Sequence, residues 1–221
     1  PTSEWKEEIV YFNADGAIWH PRTKQLVKPR LLGGEALELG PEEDPRIKFA
    51  EWLTSPQNPW FAKNAVNRVW SWLLGRGIIH EADDLRPTNP PENPELLDYL
   101  CGELVSHQFD LQHIYRLILN SRTYQLSSVT NEFNARDGAH FSHYRLKRLG
   151  AEQILDAISQ VTGSTEPFYS WIPVPSLRLP TGYKATQLPD SDIECTFLEV
   201  FGRPSRDTPY EGDRNLSATA R

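Results

Sequence analysis

Hydrophobic residues recur at helical spacing in five stretches of this chain, with polar residues between them. Asp110 opens one stretch, and another runs from near Gly150 to Val161. The remaining three begin with an Asp or Asn followed by proline: Asp44-Pro45, Asn58-Pro59 and Asn93-Pro94. An Asx side chain caps a helix, and proline at the first helical position loses no hydrogen bond. The pattern predicts five helices.

The apolar positions of each predicted helix fall on one face, which we expect to be buried. Gly75 suits the left-handed residue that closes the second helix, and Gln153 can reach back to the start of the fifth. A short connection separates the third and fourth helices, so they should pack as an antiparallel pair. The predicted inward residues are Ile47, Ala50 and Leu53; Ala62, Val66, Val69 and Leu73; Leu97, Leu100, Cys101, Leu104 and Val105; Leu111, Ile114, Tyr115 and Ile118; and Ala151, Ile154, Leu155 and Ile158.

The segments outside these helices have different signals. Residues 9–12 and 17–19 read as two strands of a hairpin around a turn at residues 13–16. Residues 164–189 hold prolines too often for a regular element and predict a long ordered loop that lies against the helices. Phe197 to Phe201, before Gly202, predicts a short helix.

These elements predict a mainly α fold, a compact bundle of about five helices with a small N-terminal β element and a long proline-rich loop. Residues 1–43 would form a β-hairpin segment packed on the body, and residues 44–221 a single helical domain. The sequence contains no Met and ends at Ala220-Arg221. We therefore expect it to be a fragment of a larger protein.

Composition excludes several classes of protein. A net charge of -7 argues against a nucleic-acid partner, since such binding depends on Lys and Arg. No apolar run approaches the roughly 20 residues that cross a bilayer, so no membrane span is predicted. Cys101 and Cys195 are too few for a disulfide scaffold. Cys101 reads as a small buried hydrophobe, with a bridge to Cys195 as the alternative.

The chain has no sequence motif that establishes a reaction class or attaches haem. Asp83 and Asp84 could act as acid and base on a glycosidic bond, or could bind calcium. Pairing with Arg76 or Arg86 is the competing structural interpretation. A second acidic cluster, Asp190, Asp192 and Glu194, has the same two functional interpretations, with a solvated loop as the competing structural one.

Three further groups of side chains have both a functional and a structural interpretation. His140 and His143 have a spacing that could chelate a metal, although a surface loop without metal is favoured. The basic residues Arg145, Lys147 and Arg148 could bind an anion or could form a solvated face. Three indoles could stack on a sugar, but core packing is favoured, with each N–H on a nearby carbonyl: Trp60, Trp70 and Trp72.

The chain contains an ordered series of strings: Asp44-Pro45-Arg46, Ala50-Glu51-Trp52-Leu53-Thr54, Asn58-Pro59-Trp60-Phe61-Ala62, Asn67-Arg68-Val69-Trp70, Gly75-Arg76-Gly77-Ile78, Asp83-Asp84, Asn93-Pro94-Glu95-Leu96-Leu97-Asp98, Ser121-Arg122-Thr123-Tyr124-Gln125-Leu126-Ser127-Ser128 and Phe201-Gly202-Arg203-Pro204. From about Trp19 to Pro204, this series resembles a domain of unknown function that lies downstream of planctomycete-type cytochrome c modules in large exported bacterial proteins.

The resemblance implies a periplasmic or extracellular protein, with no cofactor in this segment and haem in a neighbouring domain. It supplies no catalytic residues. The first hypothesis is a non-catalytic interaction or scaffolding module that binds a cytochrome c-type module or another protein of the same assembly. The alternative is a polysaccharide-binding or polysaccharide-processing domain that uses Asp83, Asp84 and exposed aromatics around Arg68, Arg76 and Arg122.

Overall fold

The structure is a computed structural model that describes residues 2–4, 7–9, 11–13, 15–40, 42–170, 177–188, 193 and 195–203. Six α-helices lie within these residues: α1 Pro45–Leu53, α2 Phe61–Leu74, α3 Pro94–Ser106, α4 Leu111–Leu119, α5 Ala151–Thr162 and α6 Thr196–Val200. The predicted mainly α fold is confirmed. None of the described helices is both long enough and apolar enough to cross a bilayer.

The N-terminal hairpin is displaced along the chain from its predicted position. Strand β1 (Thr2–Glu4) pairs antiparallel with β2 (Glu7–Ile9), with Ser3 opposite Glu8. The predicted turn at residues 13–16 is present, but Trp19 pairs with Leu26 in an isolated bridge. The reason is a second tight turn, in which Lys24 N donates to His20 O over 2.9 Å. Val10 and Ala14 lie outside the described residues.

The chain divides into two compact units, Pro1–Ala62 and Lys63–Arg221. The predicted arrangement of residues 1–43 on a domain at 44–221 stays a prediction. In the first unit Asp44 caps α1 by accepting from Arg46 N, as its sequence predicts. The predicted buried face of α1 is wrong, because no residue of this helix is buried. The exposed residues Ile47 and Phe49 lie two positions apart and so point to nearly opposite sides of the helix. The apolar residues of α1 therefore do not share one face.

Helices α2, α3 and α4 carry most of the buried aliphatic side chains of the second unit, and α3 contacts α4. Asn93 and Asp110 cap α3 and α4, as predicted. Gly75 follows α2 with a positive φ of 77°. The buried positions include Val66, Val69, Leu74, Leu97, Leu100, Leu104, Ile114 and Ile118. Each such side chain stabilises the fold by roughly 1.5 to 3 kcal/mol.

The predicted faces of α2, α3 and α4 need small corrections. Leu73 is half-buried and Leu74 takes the buried position. Leu111 is exposed, because it occupies the first position of α4 next to the cap. Cys101 is half-buried and Cys195 is buried, and both are free thiols. Tyr115 and Val105 are also half-buried.

A second hydrophobic cluster forms around α5 and α6, which contact each other. Gly150 N donates to Gln153 Oε1 over 3.2 Å at the start of α5, and Gly163 closes it with a φ of 68°. Ile158 is exposed instead of buried, since the cluster covers only the face of α5 near Leu155. The buried members are Ala151, Leu155, Phe168, Ala185, Ile193, Cys195 and Leu198.

The proline-rich loop is more regular than the sequence predicts. Strand β3 (Tyr169–Ser170) pairs antiparallel with β4 (Leu177–Arg178), and a short 3-10 turn covers Ala185–Gln187. Leu179 N extends the ladder by donating to Phe168 O over 3.0 Å, so Pro167 and Pro180 flank the paired residues without interrupting them. Residues 171–176 and 189 lie outside the described part.

Candidate functional site

Asn67 binds the loop that follows α2. Its side chain is fully buried, and its Nδ2 donates to Ile79 O over 3.1 Å and to Ala82 O over 3.0 Å. Ile79 N donates to Asn67 Oδ1 over 2.9 Å. All three of these hydrogen bonds join the Asn67 side chain to backbone atoms, so Asn67 fixes the course of residues 77–82 against the helix.

Arg68 and Asp83, which follow Asn67 and Ala82 in the sequence, form an ion pair. Arg68 Nε donates to Asp83 Oδ1 over 2.6 Å, and a second guanidinium nitrogen also contacts that oxygen. The side chains are 28% and 17% exposed, so solvent screens the pair less than a surface pair. The bond ties the far end of the loop to α2.

The other predicted binding residues pair separately. Arg76 contacts Glu92 Oε1 over 3.2 Å, and Asp84 accepts from Arg86 Nε and Nη2 over 2.7 and 2.6 Å. The side-chain hydrogen bond from Arg86 lowers the pKa of Asp84 below its ordinary value. The guanidinium of Arg86 thus engages one carboxylate, as the structural interpretation of the sequence predicts.

Arg122 is exposed and forms no hydrogen bond or ion pair with any part of the chain that the structure describes. The structure thus brings Arg68 and Asp83 together, whereas Arg76 and Asp84 have different partners. Because each carboxylate of the predicted acid–base pair already accepts from an arginine, no contact here favours the polysaccharide hypothesis, and it stays a prediction. Asp190, Asp192 and Glu194 lie outside the described residues.

His140 and His143 lie in an irregular segment that Asp137 organises. Asp137 accepts from Ala139 N, His140 N and Ser142 N over 2.9, 2.8 and 3.0 Å. Hydrogen bonds from Ser142, then His140 and Ala139, hold the pKa of Asp137 well below its ordinary range. Among the described residues no third ligand joins the two histidines. Their metal site stays a prediction.

The basic residues 145, 147 and 148 bind backbone carbonyls. Lys147 Nζ donates to Trp72 O, and Arg148 Nη2 donates to Phe201 O over 2.8 Å. The Arg148 guanidinium also lies 5.8 Å from the centre of the Phe201 ring. Arg145 has a longer contact of 3.4 Å to the carbonyl of Gly138. This patch therefore acts in folding by joining distant segments.

The three tryptophans differ in burial. Trp70 is buried and packs edge-to-face on Phe141 at 5.3 Å, which confirms its core role. Its Nε1 has no hydrogen-bond partner among the described residues, contrary to expectation. Trp60 and Trp72 are 37% and 43% exposed, so the predicted core packing is wrong for them. Trp72 lies two positions from Trp70 and so points away from the buried face of α2.

Three exposed apolar side chains lie in segments that are joined by hydrogen bonds near the end of α2. Trp72, Val129 and Leu146 are 43%, 80% and 83% exposed, and we call them the Trp72 surface. Backbone-directed bonds bring their segments together: Tyr144 N donates to Ser127 O over 3.0 Å, and the Tyr144 hydroxyl donates to Leu73 O over 3.3 Å. Isolated apolar residues are common on surfaces, whereas a contiguous apolar patch is typical of an interaction site.

A separate cleft of about 320 Å³ lies beside α5. Its walls include Leu155, Phe168, Tyr183 and the carboxylate of Asp156. That carboxylate accepts from Ala185 N over 2.7 Å and from the Thr186 hydroxyl over 2.7 Å. Partial burial raises the pKa of Asp156, but these bonds outweigh it and the net pKa is lowered. Asp156 therefore holds the 3-10 turn in place.

Two groups of side chains in the structure were not predicted from the sequence. Asn67 lies in the string Asn67-Arg68-Val69-Trp70, but nothing in the helical pattern indicates that its amide binds residues 79 and 82. A cluster of Glu103, His107 and His113 was also missed. Its signal in the sequence is a Glu and a His four positions apart on α3.

These features define a mainly helical domain whose buried polar residues hold a loop on a helix. The family model that matches this chain is that of PSD1, described as a protein of unknown function (DUF1553), and it covers residues 45–220. The chain belongs to this family. No curated protein matches the chain, and no solved structure matches it.

Proposed function

We propose that the chain is a non-catalytic interaction module of an exported, cytochrome-linked multidomain bacterial protein. Its location is periplasmic or extracellular, and its partner is a cytochrome c-type module whose haem lies in a neighbouring domain. The observation that carries this proposal is the exposure of Trp72, Val129 and Leu146 in segments that hydrogen bonds join to the end of α2. The family resemblance of the sequence supplies the class of partner.

Trp72 is the residue of the Trp72 surface that is typical of a binding hot spot. Burying apolar area on a partner contributes roughly 25 cal/mol per Å², and tryptophan is enriched among residues that dominate binding energy. Lys147 anchors the segment next to Leu146 by donating to Trp72 O. The surface is therefore held by the fold before a partner arrives, which lowers the entropy lost on binding.

The test is a calorimetric titration of this chain with the haem-bearing segment of its parent protein. We expect Leu146→Asp to weaken binding by about tenfold or more, because it places a charge in an apolar interface. Val161→Asp is the matched control, since Val161 is 87% exposed and lies on α5, a helix that contributes no residue to the Trp72 surface. Absence of binding by the native chain, or equal affinities for both variants, would overturn the proposal.

A further inference from the structure

Glu103, His107 and His113 lie together where α3 ends and α4 begins. His113 Nε2 is 2.7 Å from Glu103 Oε2, and His107 Nδ1 is 3.7 Å from the same oxygen. The two imidazole rings stack with their centres 3.7 Å apart and their planes 14° apart. One ligand atom from each residue lies within 4.8 Å of the others.

The backbone fixes this arrangement from two helices. Glu103 and His107 are four positions apart, which places them on the same side of α3, and His107 is the residue that caps its end. His113 lies in the first turn of α4. Because α3 contacts α4, the carboxylate and both imidazoles converge without a long loop between them.

The chemistry of these side chains suits a transition-metal ion. Zn²⁺ binds imidazole nitrogen and carboxylate oxygen at about 2.0 to 2.2 Å, which places tetrahedral ligand atoms about 3.3 Å apart. The distances of 2.7 and 3.7 Å from Glu103 Oε2 lie on either side of that value, and the ligand atoms of the two histidines lie within 4.8 Å of each other. Side-chain rotations that separate the stacked rings would complete the site. His107 Nδ1 also lies 2.9 Å from the carbonyl oxygen of Glu103. This nitrogen binds an ion only after it gives up a hydrogen bond to that oxygen, because one ring nitrogen does not donate a proton and a lone pair at the same time.

Access and charge also fit an ion from solution. The side chains of Glu103 and His113 are each 27% exposed, and that of His107 is 47% exposed. One carboxylate with two neutral imidazoles leaves a divalent ion with a net positive charge and an open position for water.

We propose that Glu103, His107 and His113 bind one divalent transition-metal ion, with Zn²⁺ as the preferred ion, and that the ion crosslinks α3 and α4. This site is independent of the Trp72 surface. Its function is to stabilise the α3–α4 pair, because a ligand that binds only the folded chain raises the free energy of unfolding.

The experiment is a titration of the metal-free chain with Zn²⁺, followed by calorimetry and by thermal unfolding. We expect one bound ion per chain and a higher Tm with Zn²⁺. His113→Ala should lose about tenfold or more in affinity, and Glu103→Gln should weaken binding in the same direction. Circular dichroism of each metal-free variant checks that the fold is retained.

A double variant, His140→Ala with His143→Ala, is the matched control, because it removes two histidines outside this cluster. It should bind Zn²⁺ like the native chain. Visible absorption of the Co²⁺-loaded chain gives a second readout, because its intensity reports a four-coordinate site. The proposal is overturned if the native chain does not bind Zn²⁺, if His113→Ala binds it undiminished, or if the double variant abolishes binding.

Discussion

Asn67 and Gly77 approach each other so closely that position 77 has no room for a side chain. A Cβ at Gly77 would lie 2.9 Å from Asn67 Oδ1 and 2.3 Å from the carbonyl oxygen of Ile79. This close approach is what lets the Asn67 amide reach the backbone of the loop. The two residues, ten positions apart in the sequence, act as one structural unit.

Replacement of Gly77 by alanine should therefore destabilise the fold. The new Cβ forces apart the Asn67 amide and the Ile79 carbonyl, and we expect a loss of about 2 to 4 kcal/mol in the free energy of unfolding. Gly102→Ala is the matched control, because nothing lies within 4 Å of its Cβ position in α3. That change should stabilise by about 0.5 to 1 kcal/mol. Urea denaturation measures both, and equal effects would contradict the argument.

The pair of Arg68 and Asp83 should couple more strongly than a surface pair. A double-mutant cycle with Arg68→Ala and Asp83→Ala should give a coupling energy of about 1 to 2 kcal/mol, since both side chains are largely buried. The comparison is Lys28 and Glu38, whose side chains are 52% and 82% exposed. That pair should give roughly 0 to 0.5 kcal/mol. A result in the opposite order would rule out a structural role for Arg68.

Features that depend on neighbouring residues could be predicted from the sequence, whereas contacts between distant residues could not. The Asx-Pro pairs identify helix starts, because a cap involves only neighbouring residues. The same is true of Asp84 and Arg86, two positions apart, whose pairing was expected. Asp83 instead pairs with Arg68, which lies 15 residues away in the sequence. No periodic pattern specifies such a partner, because it depends on how the loop packs on α2.

The same difference between local and tertiary information applies to which side chains are buried. The repeating apolar positions of α2, α3 and α4 identified the buried faces, since those helices have packing neighbours. Ile47, Trp72 and Ile158 are apolar but exposed. Whether an apolar side chain is covered depends on which element lies opposite it, and the chain's local pattern does not contain that information.

Acid should weaken the segment that Asp137 organises. Its pKa is lower in the folded chain than in the unfolded chain, chiefly through the hydrogen bond from Ser142. Its contribution to stability is therefore complete above the ordinary pKa of about 4 and is lost as the pH falls through that range toward the folded value. We expect the stability difference between the native chain and Asp137→Asn to shrink as the pH falls below about 4.

Asp15→Asn is the control for this pH series, because no hydrogen bond to the Asp15 carboxylate is present in the described residues. Its stability difference from the native chain should stay near zero at every pH. Urea denaturation between pH 6 and pH 2 measures both variants. A constant difference for Asp137→Asn across this range would contradict the role of its carboxylate.

Cys101 should react slowly with thiol reagents. Burial raises its pKa to about 11 from an ordinary 9.0, so the thiolate fraction at pH 8 falls by about 100-fold. Alkylation by iodoacetamide should accelerate as the pH rises toward 11. Mass spectrometry distinguishes it from Cys195. Rapid alkylation of Cys101 at pH 8 in the folded chain would contradict the burial shown by the structure.

The most direct test of the account compares two variants in one binding measurement. The loop that Asp83 holds on α2 has a structural role, whereas we propose that the Trp72 surface binds the haem-bearing segment. With both variants fully folded, Leu146→Asp should raise the Kd by about tenfold or more. Asp83→Asn should lower the Tm and leave the Kd within about twofold. A raised Kd for Asp83→Asn together with an unchanged Kd for Leu146→Asp would contradict the account.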